Sequence, residues 1–398
     1  MKKGWEIKKL GEIGKVSMCK RIFKEDTTAK GDIPFYKIGT FGKTPDAFIT
    51  KERYIEFRSK YSFPKKGDIL ISASGTIGRT VRYNGEPAYF QDSNIVWIDN
   101  NEKLVLNDYL YRFYEICNWG ASKGATISRL YNDNLKQIEI HFPKSLPEQK
   151  RIVSLLDQCF AAIDKAKANA EQNLKNAKEL FESYLQGVFE NKGKDWEEKA
   201  LGEVLVKTET IDPTKKPNEE FIYLDVSSVN KETKEIEDTT VLLGKDAPSR
   251  ARKLVRTNDV IFATVRPTHS RVALITDEYD EQVCSTGYFV LRAKDFLSNN
   301  FVFYFLLTYG FNKQMEKLQK GASYPAVTDA EVKGILIPFP KSKKEQQTIV
   351  QKLDALRDEV KKLDAVYLQK IDDLEELKKS VLQKAFAGEL KTEKVLEV

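Results

Sequence analysis

The side chains best suited to chemistry in this 398-residue chain sit in hydroxyl- and glycine-rich loops. The first is Ala73-Ser74-Gly75-Thr76-Ile77-Gly78-Arg79-Thr80, after a β-like run ending at Ser72, and its counterpart is Thr264-Val265-Arg266-Pro267-Thr268-His269-Ser270-Arg271. A second class pairs Ser122-Lys123-Gly124-Ala125-Thr126-Ile127-Ser128-Arg129 with Lys320-Gly321-Ala322-Ser323-Tyr324. Basic runs, Lys20-Arg21 and Ser249-Arg250-Ala251-Arg252-Lys253, form a third. Arginine offers two parallel donors to guanine, Ser and Thr bond phosphates or base edges, and glycine lets a backbone approach closely. The loops therefore predict nucleic-acid binding. The expected contacts in the first half are Lys20, Arg21, Ser72, Ser74, Thr76, Arg79, Lys123, Thr126, Ser128 and Arg129. In the second half they are Arg250, Arg252, Thr264, Arg266, Thr268, His269, Arg271, Lys320, Ser323 and Tyr324.

Catalytic patterns are missing. Gly39-Thr40-Phe41-Gly42-Lys43-Thr44 imitates a phosphate-binding loop, but the required first glycine is Lys37, so the segment reads as a turn. No Gly-x-Gly-x-x-Gly follows a strand, and no Asn/Asp-Pro-Pro-aromatic motif is present. Acid-x-Lys triplets such as Glu331-Val332-Lys333 are ordinary where 31% of residues are charged. His269 has no carboxylate close in sequence to orient it, and His141, in the strand before the long helix, reads as a packed or surface histidine. Cys19, Cys117, Cys159 and Cys284 lack Cys-x-x-Cys spacing, which predicts neither disulfides nor a zinc site. No catalytic residue and no bound metal or cofactor is expected. The longest apolar run, 301–307, is too short to span a bilayer, and no apolar segment follows the N-terminal Met-Lys-Lys-Gly-Trp-Glu. A cytoplasmic chain with no membrane partner is expected.

The elements that must position these loops occur twice. Trp-Glu-Ile-Lys-Lys-Leu-Gly-Glu from Trp5 returns as Trp-Glu-Glu-Lys-Ala-Leu-Gly-Glu from Trp196, and Lys66-Gly67-Asp68-Ile69 aligns with Thr257-Asn258-Asp259-Val260 at the same offset. From Lys123 and Lys320, two 35-residue strings agree at 16 positions. This is an internal duplication. Each copy holds a module rich in Gly, Pro, aromatics and short β-like runs, with amphipathic helical stretches such as 107–114 and 300–309. Each module is followed by a segment free of Gly and Pro, 148–186 or 345–387, which predicts a long helix. The expected fold class is α+β: two similar mixed α/β domains separated by two long antiparallel helices in a coiled coil, related by a pseudo-twofold. The expected domains are 1–146, a helix over 147–191, 192–343, a helix over 344–390, and a tail over 391–398. The net charge of +6 is unevenly placed: residues 1–146 hold 25 Lys and Arg against 17 Asp and Glu, whereas 192–343 hold 23 of each. The excess favours a polyanion surface on the first module.

Apolar residues at Leu353, Leu356, Val360, Leu363, Tyr367, Ile371, Leu374, Leu377 and Val381 form a heptad seam, and positions 197 earlier are also apolar. Further apolar faces, at Ile152, Leu155, Phe181, Leu185, Phe189, Ile349, Leu382 and Phe386, are expected to bind partner subunits or to pack on the chain's own modules. Two unlike modules at the ends of a helix of roughly 60 Å would act as a caliper on half-sites no more than about two duplex turns apart.

The duplicated layout, the opening Trp-Glu-x-x-x-Leu-Gly-Glu, the Lys-Gly-Asp-Ile-Leu strand, and the helix starts at 143–153 and 340–350, each with Glu-Gln followed by Ile-Val, closely resemble the specificity subunit of type I restriction-modification systems. The resemblance covers essentially the whole chain. It implies two target-recognition domains, each reading half of an asymmetric bipartite site in double-stranded DNA. It also implies helices that dock two methyltransferase subunits, with motor-nuclease restriction subunits completing the assembly. S-adenosylmethionine, ATP and Mg are then expected on partner subunits. The second module departs from the pattern at 263–267 and at Ser323-Tyr324-Pro325, where specificity would vary. A self-contained DNA-modifying enzyme and a coiled-coil scaffold are the alternatives from other classes.

Overall fold

The computed structural model describes residues 3–119 and 129–390. The chain divides into two compact units, 1–170 with 369–398, and 171–368, so each unit takes half of each long helix. Each unit is built on the same plan.

In the first unit, Trp5–Lys9 pairs antiparallel with Glu139–Pro143, placing Trp5 opposite Pro143. In the second, Trp196–Ala200 pairs with Leu336–Pro340, placing Trp196 opposite Pro340. The two most repetitive sequence motifs are thus the two strands that close each module. Inside the first unit, an antiparallel sheet runs in the order Gly14–Ser17, Ile95–Asn100, Ile69–Ser72, Thr80–Arg82. A smaller sheet sets Ile33–Tyr36 between Phe48–Ile49 and a parallel neighbour, Tyr89–Phe90. The second unit repeats the core of this order, with Val260–Ala263 between Val272–Leu274 and Tyr288–Leu291 in a three-stranded sheet, and with Glu220–Leu224 between Thr240–Leu243 and the parallel Val283–Ser285 in a sheet that gains Ala251–Leu254 as a fourth strand.

Strand alternation splits the core, because successive side chains leave a strand on opposite faces. Ile69 and Ile71 join Tyr109, Phe113, Ile152, Leu156 and Phe386 on the helix side, while Leu70 joins Phe35, Tyr89 and Trp97 under the smaller sheet. Val260 and Phe262 likewise face Phe301, Phe305, Leu185 and Phe189, and Ile261 faces Leu224, Cys284 and Tyr288. Each main sheet is therefore covered on both faces, which explains its continuous apolar runs.

The long helices are Leu146–Glu190 and Lys343–Phe386. Their pairing is antiparallel within each unit: Lys167 meets Glu375 and Asp164 meets Lys378 in the first, and Lys178 meets Asp364 in the second. The heptad seam holds at Leu156, Ile163, Ala170 and Leu353, which are buried, but Leu180 and Leu377 lie 69% and 48% exposed. A straight α-helix drifts about 20° per heptad from a 3.5-residue repeat. The buried stripe has therefore rotated onto Phe181, Leu185 and Phe189 by the helix end.

Gln149 and Gln346, fully buried, anchor the helices to the modules. Gln149 Nε2 donates to the carbonyls of Leu104 and Pro143 at 2.8 and 2.9 Å, and its Oε1 accepts from Leu106 N at 2.9 Å. Gln346 repeats the pattern with Phe296, Pro340 and Ser298 at 3.0, 2.8 and 2.9 Å. Only a neutral amide offers two donors and an acceptor in this geometry, which explains the repeated Glu-Gln pair. Among the described residues, no helix is long and apolar enough to cross a membrane, and no group of three or more His, Cys, Asp or Glu is placed to hold a metal ion.

Candidate nucleic-acid interface

A three-way junction at the end of each central strand brings the first two loop classes together. In the first unit, Ala73 N donates to Asn94 O at 2.7 Å and Leu130 N to Ala73 O at 2.8 Å, and Ser74 pairs with Arg129 as an isolated bridge. In the second, Thr264 N donates to Gly287 O at 2.8 Å and Val327 N to Thr264 O at 2.9 Å, with Val265 bridged to Ala326. Segments distant in sequence thus share one surface in both copies.

The structure sorts the predicted contacts into those holding this junction and those facing solvent. Ser72 Oγ accepts from Arg79 N and donates to Thr76 O, Ser74 Oγ donates to Asn94 Oδ1, and Thr264 Oγ1 donates to Gly287 O. All three hydroxyl residues are buried, so the expectation that they touch a ligand is corrected: their hydroxyls are used up satisfying the loops themselves. Arg79 and Arg271 occupy equivalent hairpin positions, since Ser72 N bonds Arg79 O as Ala263 N bonds Arg271 O. Both guanidinia turn inward: Arg79 Nη1 donates to Phe41 O at 2.9 Å, and Arg271 Nη1 to the carbonyls of Ser227 and Val229. In this structure they brace neighbouring loops rather than face solvent as the expected contacts would. Arg79 thereby ties the Gly39-to-Thr44 turn against the loop 73–79. Gly78, at φ +84°, has no room for a Cβ beneath the Trp119 ring.

Other candidates face outward. Thr76, Arg129, Arg250, His269 and Ser323 are exposed. Arg266 adopts φ +50°, uncommon for a side chain with a Cβ, and lies 5.3 Å from the ring of Tyr324, itself 72% exposed. Backbone held in this region clusters at functional sites. Thr268 is half-buried and its carbonyl accepts from Asn312 Nδ2. Lys320 pairs with Glu331, Arg252 with Asp212 and Arg21 with Asp92. Lys20 lies over Tyr61. Lys123, Thr126 and Ser128 fall outside the described residues.

Lys234, in a turn beside the second unit's reading loop, has no sequence signal that singles it out. Its Nζ donates to Ser270 O at 2.7 Å, and burial brings its pKa down to about 8. Burial pushes the thiols of Cys19, Cys117 and Cys284 up to about 12, so none of these three supplies a ready thiolate.

The faces expected to bind partners are mostly occupied. Ile152, Leu382 and Phe386 are buried in the first unit, Phe386 against the rings of Tyr109 and Phe113. Leu185 and Phe189 are buried in the second, Phe189 against Phe301 and Phe305. Phe181 and Ile349 pack on the same core, and Leu155 is half-buried. These side chains fix the helices to their own modules, the second of the two expectations for them. The large apolar side chains left exposed on the helices are instead Leu180, Tyr184, Leu363, Val366, Leu368 and Leu377.

A tandem α/β module that presents paired variable loops on a fixed frame defines a recognition chain. Comparison with known proteins gives its family: the model of the type I restriction modification DNA specificity domain matches residues 2–175 and again 193–373. The chain belongs to this family, the specificity subunits of type I restriction-modification enzymes, which are non-catalytic DNA-recognition subunits. It is 65% identical over 153 residues to a putative type I restriction enzyme specificity subunit of Haemophilus influenzae, a match covering 38% of this chain and 40% of the relative. Over 97% of its length it is 23% identical to the putative MjaX specificity subunit of Methanocaldococcus jannaschii, covering 94% of that protein. A solved chain from work on assembly and conformational transition of the type I restriction-modification system shares the fold, with a TM-score of 0.75 at 18% identity over 98% of this chain and 99% of that one.

Proposed function

We propose that the two modules each read one half of an asymmetric bipartite site in double-stranded DNA, while the helices dock two methyltransferase subunits and bring motor-nuclease restriction subunits to the site. The reading rests on one observation above all: the same junction in both units joins two loops whose sequences differ between copies, Ser74-Gly75-Thr76 with Arg129 in one and Arg266 with Tyr324 in the other. A shared frame with unlike loops suits two unlike half-sites. Arg266, stacked on an exposed ring and with no carboxylate partner among the described residues, fits two-donor recognition of guanine in the major groove. The exposed apolar side chains on the helices suit docking of partner subunits. S-adenosylmethionine, ATP and Mg belong to those partners in this reading. The test is genome-wide mapping of methylated adenine in cells with and without this chain, and with the second module exchanged. The expected result is a bipartite motif that vanishes without the chain and changes in one half only after exchange. Methylation or cleavage by the isolated chain would establish the self-contained enzyme instead, and a lack of salt-sensitive DNA binding would favour the scaffold.

A further inference from the structure

The first unit has a basic cleft, away from the junction, whose cations are largely unpaired. The helix Lys51–Lys60 starts at Thr50, whose Oγ1 accepts from Arg53 N at 3.2 Å, and it buries Tyr54. Its last turn delivers Arg58 to the rim of an open cleft of about 800 Å³, lined also by Tyr61, Lys65, Lys66 and Glu86. The cleft lies where Gly67 N bonds Tyr83 O, at the opposite end of the Ile69–Ser72 hairpin from the reading loop.

Arg58 stands 5.3 Å from the Phe63 ring and 5.7 Å from that of Tyr54, donates to Tyr54 Oη at 3.0 Å, and has no carboxylate partner among the described residues. Lys66 is exposed, rests its stem against Gly85 and makes no ion pair with any described residue. Lys20 Nζ sits 5.2 Å above Tyr61, and Lys65 reaches Asp99 at 3.1 Å while remaining 73% exposed. Among the described residues, Glu86 is the one acid on the lining. Other cations of the same helix are paired, Arg53 with Asp26 and Glu56, and Lys60 with Glu56. In the second unit the corresponding stretch of chain runs through the exposed Arg250 into the strand Ala251–Leu254, where the cations are paired: Arg252 with Asp212, Lys253 with Asp329 and, just beyond, Arg256 with Glu209.

We propose that this cleft is a second DNA contact of the first module, one in which Arg58 and Lys66 on its lining, with Lys20 beside it over the Tyr61 ring, hold phosphates of the duplex backbone rather than base edges. The inference rests on the DNA reading above. The cations are spread along an open rim instead of converging on one point, which suits a chain of phosphates better than a single small anion. Arg58 is fixed by two rings before any ligand arrives, so little side-chain freedom is given up on binding. Phosphate contacts set position and salt dependence but carry no sequence information.

The test measures the affinity of the assembled methyltransferase for a duplex containing its site, as a function of salt, for the wild type and for Lys66→Gln, Lys20→Gln and Arg58→Gln. Removing one phosphate-binding cation is expected to make the slope of log affinity against log salt shallower by about 1, weakening specific and non-specific duplexes alike. The methylated sequence should not change. Lys66 and Lys20 are surface positions, so their variants keep the test valid should Arg58→Gln unfold the helix. An unchanged slope in the Lys66→Gln, Lys20→Gln double variant, beside a steep wild-type slope, overturns the proposal. So does weakened association of the methyltransferase with an unchanged slope, which would mark the cleft as a protein-binding surface. A wild type with no salt-dependent DNA binding would instead sink the DNA reading itself.

Discussion

The two modules share strand order, junction and helix anchor, yet differ in what they do with charge. In the first, Arg58 and Lys66 face an open cleft without carboxylate partners among the described residues. In the second, Arg252, Lys253 and Arg256 of the matching stretch are absorbed into the fold. Arg292 grips the buried Asp259 through Nε and Nη2 at 2.7 and 2.8 Å and reaches Glu209 at 3.0 Å, while Arg256 also pairs with Glu209. The corresponding buried carboxylate in the first module, Asp68, accepts instead from Lys65 N and Asn107 Nδ2. Burial therefore holds its pKa above the usual carboxylate range. One frame thus supports an open cleft with unpaired cations in the first module and a matching strand with paired cations in the second.

The contrast is most sharply tested at the feature the modules share. Gln149→Ala and Gln346→Ala should each cost about 3 kcal/mol, because one buried and two part-buried backbone groups lose their partners at once. Urea unfolding should detect both effects, and Trp196 fluorescence reports the second unit alone, since the other tryptophans are Trp5, Trp97 and Trp119. Strongly unequal costs would show that the frames are less alike than their hydrogen bonds.

The buried aspartates should then part company. Asp259→Asn is expected to destabilise the second unit by about 3 kcal/mol by removing the two-pronged buried pair and leaving Arg292 with the exposed Glu209 as its one carboxylate. Asp68→Asn should change the first unit by no more than about 1 kcal/mol, since the amide removes an unfavourable buried charge. The pH dependence has a definite sign. A carboxyl whose folded pKa is raised binds its proton more tightly in the folded state, so the penalty is present at neutral pH and relieved as pH falls through the folded value. The stability advantage of Asp68→Asn over wild type should therefore shrink on acidification, which urea titrations from neutral to about pH 4 would reveal.

A smaller effect is expected at the reading loop. Arg266→Ala should cost about 2 kcal/mol of discrimination at one base pair of one half-site, visible as a relaxed position in the methylated motif. Arg271→Ala should lower the melting temperature of the second unit without relaxing any position. A reversal of these two outcomes would exchange the roles of brace and reader.

The smallest effect concerns Lys234. Its folded pKa of about 8 lies below its ordinary value, so the folded state releases this proton more readily than the unfolded chain. The second unit should accordingly gain stability between about pH 8 and 10 relative to Lys234→Gln, as followed by urea unfolding at each pH.

Much of this architecture is legible in the chain. The repeat at offsets of 191 and 197, the Gly- and Pro-free stretches and the charge excess in 1–146 point to two modules and two long helices. The loop classes are also legible, because glycine and hydroxyl residues bunch after the central strands. The run from Arg53 to Lys66, Arg-Tyr-Ile-Glu-Phe-Arg-Ser-Lys-Tyr-Ser-Phe-Pro-Lys-Lys, interleaves basic residues with aromatics and so holds a signal for the cleft. The duplication does not highlight it, since the second copy has no equivalent. The roles of individual side chains are not legible. Arg79 and Arg266 look alike in sequence, yet one meets a carbonyl 38 residues away and the other stacks on an exposed ring.

Composition and periodicity follow from local rules: a helix needs its stripe and a strand its alternation, wherever they end up in space. Those rules determined the repeat, the element types and the loops worth watching. Which arginine is spent and which is free depends on the carboxylates and carbonyls that folding brings from distant parts of the chain, Asp259 to Arg292 or Phe41 to Arg79. That decision belongs to the tertiary structure, because a charge is neutralised by its neighbours in space and not by its neighbours in sequence.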